Sequence, residues 1–123
     1  MEIGKNYTVE ITVEEKDTAL AVGSGALLVL ATPRMIALME EAAMKSVSSD
    51  LSEGDTTVGT LMNVSHVKAT PVGAKVTARA ELTGVEGRKL TFEVKAYQGE
   101  TLIGEGTHER FVVNIERFMS KLG

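Results

Sequence analysis

The sequence predicts an α+β fold in which a curved antiparallel sheet wraps around one long helix. Three observations lead there. One helical stretch carries an apolar stripe, nearly everything after it alternates with strand period, and the strands are joined mostly by turns too short for anything but hairpins. Hairpins impose antiparallel pairing, and a helix with one apolar face packs on one face of the resulting sheet. The 123 residues read as a single domain spanning 1–123, long enough to bury roughly two thirds of its unfolded surface without a disulfide or metal staple.

The first strand is predicted at Tyr7 to Val13, where Tyr7, Val9, Ile11 and Val13 alternate with polar neighbours. Residues 14 to 31 lack a period and read as a loop or lid with a short helical piece, flexible around Val22-Gly23-Ser24-Gly25-Ala26. Thr32-Pro33 begins the helix: a threonine hydroxyl can cap an orphan N–H, and proline at the first helical position loses no bond. The helix runs to about Ser49, with Ile36, Met39, Ala43 and Val47 on one side and Arg34, Glu41, Lys45 and Ser48 on the other. Strands follow at Thr57 to Ala69, Ala74 to Val85, Leu90 to Ala96 and Thr101 to Val113, the last interrupted by Gly104 and Gly106. Between them lie turns at Thr70-Pro71-Val72-Gly73, Glu86-Gly87-Arg88 and Gln98-Gly99-Glu100. Asn114 to Leu122 reads as a short terminal helix presenting Ile115, Phe118 and Met119. The arrangement is that of a hot-dog fold.

Composition narrows the function. An apolar fraction of 43% and a charged fraction of 24% are those of an ordinary globular protein. Thirteen Lys+Arg against seventeen Asp+Glu, a net charge of −4, argue against nucleic acid as a general partner. The absence of cysteine excludes a thiol nucleophile and an iron–sulfur cluster. With two histidines and no ligand spacing, no metal site is expected. The longest apolar run, Gly25 to Thr32, falls far short of the ~20 residues of a membrane span. Met1 to Lys5 carries no apolar signal core, so a cytoplasmic location away from the membrane is expected.

Several residues stand out chemically. Glu40 falls on the apolar side of the helix while Glu41 lies in the charged stripe. A carboxylate there is either paired in a site, or at the stripe's edge and reaching for water. His66 shares a strand face with Met62 and Val64 and is a candidate general base or a satisfied structural imidazole. Thr32 is a helix cap, or a nucleophile or water-positioning donor beside the helix dipole. Gly59 can let a substrate approach the backbone, or is an ordinary strand glycine. Arg110, alternating with His108 on the last strand, can pair with a carboxylate or phosphate or form a sheet-surface ion pair. Lys68, Lys75, Arg79, Arg88 and Lys89 form either a positive rim for an anionic tail or the wet face of the sheet. No phosphate loop or dinucleotide fingerprint is present.

Taken together these residues resemble the fluoroacetyl-CoA thioesterase-like branch of the hot-dog thioesterases. The resemblance covers nearly the whole chain after about residue 30. It rests on Ala31-Thr32-Pro33 with Met39-Glu40-Glu41-Ala42, and on Gly59-Thr60 leading to His66-Val67-Lys68-Ala69-Thr70-Pro71-Val72-Gly73. Val85-Glu86-Gly87-Arg88 and the run Gly104 to Val113 complete it. The resemblance implies Thr32, Glu40 and His66 as the catalytic set, with Gly59 and Arg110 in the substrate pocket. It implies hydrolysis of a small acyl-CoA thioester, coenzyme A being part of the substrate and no other cofactor needed. His66 would act as general base on Thr32 or on a water, and Glu40 would orient His66 or itself be base or nucleophile. A homodimer or higher homo-oligomer is expected, with the CoA channel where two sheets run on into one. One departure is visible: residues 18 to 31 are short and aliphatic with no aromatic side chain, whereas the fluoroacetyl-specific enzyme carries an aromatic lid. Fluoroacetyl specificity is therefore not implied. The rivals are a non-catalytic acyl-CoA or small-ligand binding module, and a hydratase–dehydratase on the same fold.

Overall fold

The computed structural model describes residues Met1–Gly123. Strands β1 (Asn6–Thr12), β2 (Asp55–His66), β3 (Lys75–Glu86), β4 (Lys89–Gln98) and β5 (Thr101–Asn114) form one sheet. Their order is β1-β3-β4-β5-β2, every neighbour antiparallel. The helices are α1 (Ala19–Val22), α2 (Thr32–Val47) and α3 (Ile115–Ser120). One cluster of 18 buried apolar residues joins α2 to the inner faces of β1, β3 and β4 and to Ile103 of β5, with Phe92, Leu82 and Val76 in the same cluster as Met35, Leu38 and Met39.

The α+β arrangement follows the sequence reading, with corrections. The buried stripe of α2 is Met35, Leu38, Met39, Ala42, Ala43, Ser46 and Val47, the i, i+3, i+4, i+7 pattern of a core-facing helix. It is rotated from the predicted one: Ile36 is only half-buried and shares a flanking ridge with Ala37, Glu40 and the exposed Met44. That ridge faces away from the β1–β3–β4 half, and α2 scarcely touches β2. Strand β2 is an edge strand with Leu61 exposed, as is Val67 just beyond it, and it leaves the ladder at His66, three residues short of the predicted Ala69.

The segment predicted as a flexible lid is a pinned flap. A 3-10 turn at Glu15–Asp17 leads into α1, which closes at Gly23 with a φ of 91°, a left-handed conformation that glycine adopts freely. Ala19 and Leu20 donate back to Val29 and Leu27, and Leu30 N donates to Thr70 O. Leu20, Val22, Leu27 and Leu28 stand exposed on its outer surface.

Candidate active site

Thr32 is the first residue of α2, and Ala31, with φ −69° and ψ 138°, occupies the N-cap without a side-chain bond. The predicted capping role of Thr32 is therefore vacant, and its hydroxyl is free for other work. Thr32 Oγ1 lies 2.7 Å from Nδ1 of His66, the last residue of β2. Two features hold these distant residues together. A Cβ on Gly104, which pairs with His66, would stand 2.6 Å from Met35 Sδ and 2.9 Å from Ser65 O. Only bare backbone lets the first turn of α2 settle so closely over this end of the sheet. On the other side Arg34 Nε donates to the buried Asp17 carboxylate at 2.9 Å, and Ala31 N donates to Asp17 O. Burial pushes the Asp17 pKa up, but the Glu14 N–H and the Arg34 guanidinium outweigh it, and the carboxyl titrates below its usual value.

His66 is shaped as a base. Burial, opposed by a weaker contact with the Lys68 backbone, holds its pKa below the ordinary 6.5, so the ring is neutral at pH 7. In the tautomer that a base requires, the Thr32 hydroxyl donates to Nδ1 and the ring proton resides on Nε2. That atom is buried and has no hydrogen-bond partner in the chain, an arrangement costing about 1–3 kcal/mol. Beside the pair opens a cavity of about 280 Å³, floored by Thr32, His66 and Lys68 and walled by Ala19, Ser24 and Val29 of the flap.

Glu40, Gly59 and Arg110 meet elsewhere. A Cβ on Gly59 would lie 3.1 Å from Glu40 Oε2, 3.3 Å from His108 Cε1 and 3.4 Å from Arg110 Nη1, so the glycine backbone is wedged among all three. A bulge between Gly59 and Leu61 adds one residue to β2 and reverses its alternation. Gly59 and His66, on opposite faces by simple counting, consequently share the inner face. His108 Nδ1 donates to the Leu61 carbonyl beside the bulge at 2.8 Å, which leaves Nε2 to accept from Arg110 Nη1 at 3.3 Å. Arg110 also donates through Nε to Thr57 Oγ1 and through Nη2 to Thr57 O. Burial lowers the pKa of both His108 and Arg110, and the Glu40 carboxylate opposes this in both. A second recess, of about 220 Å³, opens at Glu40, Gly59 and His108.

The structure thus brings together Thr32 with His66, and separately Glu40 with Gly59 and Arg110. The eight residues of β2 from Gly59 to His66, one of them bulged, span roughly 20 Å, so within one chain Glu40 does not reach His66. The residue that sequence reasoning passed over is His108. Its signal was available: it falls on the same alternating face of β5 as Arg110 and the two glycines. No group of three or more His, Asp or Glu side chains is placed to hold a metal ion, and no helix is long and apolar enough to cross a membrane.

Comparison with known proteins decides the family. A match to the family described as "FlK: Fluoroacetyl-CoA-specific thioesterase" spans residues 13–116. This chain belongs to that family. The fluoroacetyl-CoA thioesterase of Streptantibioticus cattleyicolor is 45% identical over 94 residues, 76% of this chain and 68% of that one. A variant of the fluoroacetyl-CoA-specific thioesterase FlK in complex with fluoroacetate and CoA superimposes with a TM-score of 0.90 at 38% identity, over 96% of this chain and 99% of that chain. A Thermus thermophilus thioesterase superfamily member does so at 0.91 and 25% identity, over 98% and 90%. The fold is a hot dog, and this FlK-family chain is a thioester hydrolase.

Proposed function

We propose that this acyl-CoA thioesterase hydrolyses a short acyl-CoA at a composite site built by two copies of the chain. Thr32 and His66 come from one protomer, and Glu40, Gly59 and Arg110 from the partner subunit. The observation that carries this reading is the buried Nε2 of His66, which has no hydrogen-bond partner in this chain and, in the tautomer that takes the Thr32 proton at Nδ1, bears an N–H in need of an acceptor. Strand β2 is an open edge, and exposed edges invite pairing. With the bulged Thr60 left out of the ladder, His66 and Gly59 each lie three pairs from Asn63, the centre of that stretch of strand. Antiparallel pairing of β2 with its own copy about that centre, as a two-fold axis requires, sets His66 beside Gly59 of the partner subunit. Glu40 of the partner subunit then faces Nε2. The half-exposed ridge of Ile36, Ala37 and Met44 gains an apolar cover in the same step.

In this arrangement His66 Nδ1 accepts the proton of the Thr32 hydroxyl, or of a water that the hydroxyl holds, as oxygen attacks the thioester carbonyl. Glu40 of the partner subunit stabilises the imidazolium that forms. The N–H groups at the start of α2 and the backbone of Gly59 face the developing oxyanion. Collapse breaks the C–S bond, and the imidazolium returns its proton to the departing CoA thiolate. If Thr32 was the nucleophile, water hydrolyses the acyl ester through the same base. An acylated Thr32 peptide in a rapid quench distinguishes the two routes.

The acyl group enters the cavity beneath the flap, whose wall is aliphatic. Fluoroacetyl-CoA, the substrate named for the relatives, is not specifically favoured by such a wall. The whole of residues 1–123 serves as one domain, in the cytoplasm and with no cofactor beyond the CoA of the substrate. The test is a panel of short acyl-CoAs with free thiol as readout. Thr32→Ala, Glu40→Gln and His66→Ala should each lose most of the rate while remaining folded. Wild-type turnover by His66→Ala would refute the mechanism, and tight acyl-CoA binding without turnover would favour a binding module.

A further inference from the structure

At the end of the sheet opposite His66, the β3–β4 hairpin, the end of β5 and α3 enclose a cavity of about 270 Å³. Arg88, Arg117 and Lys121 line it together with the rings of Phe111 and Phe118 and with Asn114. No acidic side chain lines it, in a chain whose net charge is −4. None of the three cations forms an ion pair, whereas seven other basic and acidic pairs do. Arg88 is held in place, its Nη1 donating to Val112 O at 3.1 Å. Phe111 and Phe118 each expose more than a third of their surface. Three uncompensated cations around two open aromatic rings suit a ligand with phosphates at one part and a flat aromatic ring at another. Cations and donors bind the phosphates, and the rings stack on the base.

We propose that this cavity binds the phosphorylated adenosine end of the substrate's coenzyme A. The inference rests on the thioesterase reading and assigns the other end of the same substrate. Phe111 follows Arg110 on β5 and pairs with Val58, next to Gly59; its ring stands on the opposite face of the sheet from Arg110, so the cavity and the half-site holding Glu40 lie on the two faces at the same end of β2 and β5. The pantetheine arm, an extended chain with two amide units, bridges that separation. The nucleotide therefore rides on the protomer that supplies Glu40, while the acyl group lies under the partner's flap.

The test has two arms. Adenosine 3′,5′-bisphosphate, titrated calorimetrically, should bind the wild type. Arg117→Gln and Lys121→Gln, both exposed on or just after α3, should each weaken it by about tenfold, the loss typical of a charge-assisted contact. Lys75→Gln, an exposed cation on β3, should not. In turnover, Arg117→Gln should raise KM for acetyl-CoA with kcat retained, and leave both constants for acetyl-pantetheine unchanged. Absence of bisphosphate binding, equal weakening by Lys75→Gln, or the same KM rise for both substrates would overturn the assignment. The calorimetric arm needs no catalysis. Bisphosphate binding that responds to Arg117→Gln in a chain that hydrolyses no acyl-CoA would support the nucleotide site and refute the thioesterase reading. Turnover without bisphosphate binding would overturn the nucleotide site alone.

Discussion

If His66 works with Glu40 of the partner subunit, two inactive variants should rescue one another. His66→Ala removes the base, and Glu40→Gln removes the charge that stabilises its protonated form. Each change should lower kcat by about 10²–10⁴, the range for a positioned acid or base. In a mixed dimer, one site takes Thr32 and His66 from the Glu40→Gln chain and Glu40 from the His66→Ala chain, and is intact. The other site carries both lesions. Purified mixed dimers bearing two different tags should therefore show about half the wild-type turnover per dimer, and a randomly assorted mixture about a quarter. The roughly 20 Å between the two half-sites of one chain makes the outcome sharp, because no side-chain rearrangement spans it. Free-thiol release from a short acyl-CoA is the assay. Mixed dimers no more active than either parent would refute the composite site.

Three further outcomes are expected. Gly59→Ala places a methyl 3.1 Å from Glu40 Oε2, and the flexible carboxylate end yields before the backbone does. Turnover should fall between about ten- and a hundredfold with little change in Tm, whereas unchanged turnover would place the chemistry elsewhere. Gly104→Ala drives a methyl into Met35 and the Ser65 carbonyl, so both activity and about 1–3 kcal/mol of stability should be lost, measured by denaturant unfolding. The acid limb of kcat/KM reports His66, which must be neutral to act. Burial alone holds its pKa below 6.5 and a facing carboxylate raises it, so Glu40→Gln should move the midpoint of that limb to lower pH. A shift to higher pH would contradict the pairing.

Much of the fold was legible because it depends on local pattern. The alternation of Val76, Ala78, Ala80 and Leu82 and of Leu90, Phe92, Val94 and Ala96 sets the inner face of β3 and β4 whatever surrounds them. The turns at Gly87 and Gly99 hold glycine at positive φ, so the hairpins and their antiparallel sense were fixed locally. Thr32, Glu40 and His66 stood out because each places a reactive group where the pattern calls for something blander.

Other features were hidden because they depend on what packs across the chain. The wheel of α2 was misjudged by a rotation because only the sheet decides which flank of an apolar stripe is covered. The bulge in β2 leaves no mark in a count of two, yet it turns Gly59 to the face of His66 and gives the Leu61 carbonyl to His108. The separation of Glu40 from His66 was equally invisible. Side-chain type and spacing along the chain, which sequence alone determined, name the groups suited to thioester chemistry. Their distances depend on sheet order and on how closely Gly104 lets a helix approach, and only the tertiary structure decided those. It joined Thr32 to His66 and left the buried Nε2 of that ring without an acceptor, since hydrogen bonds form between neighbours in space.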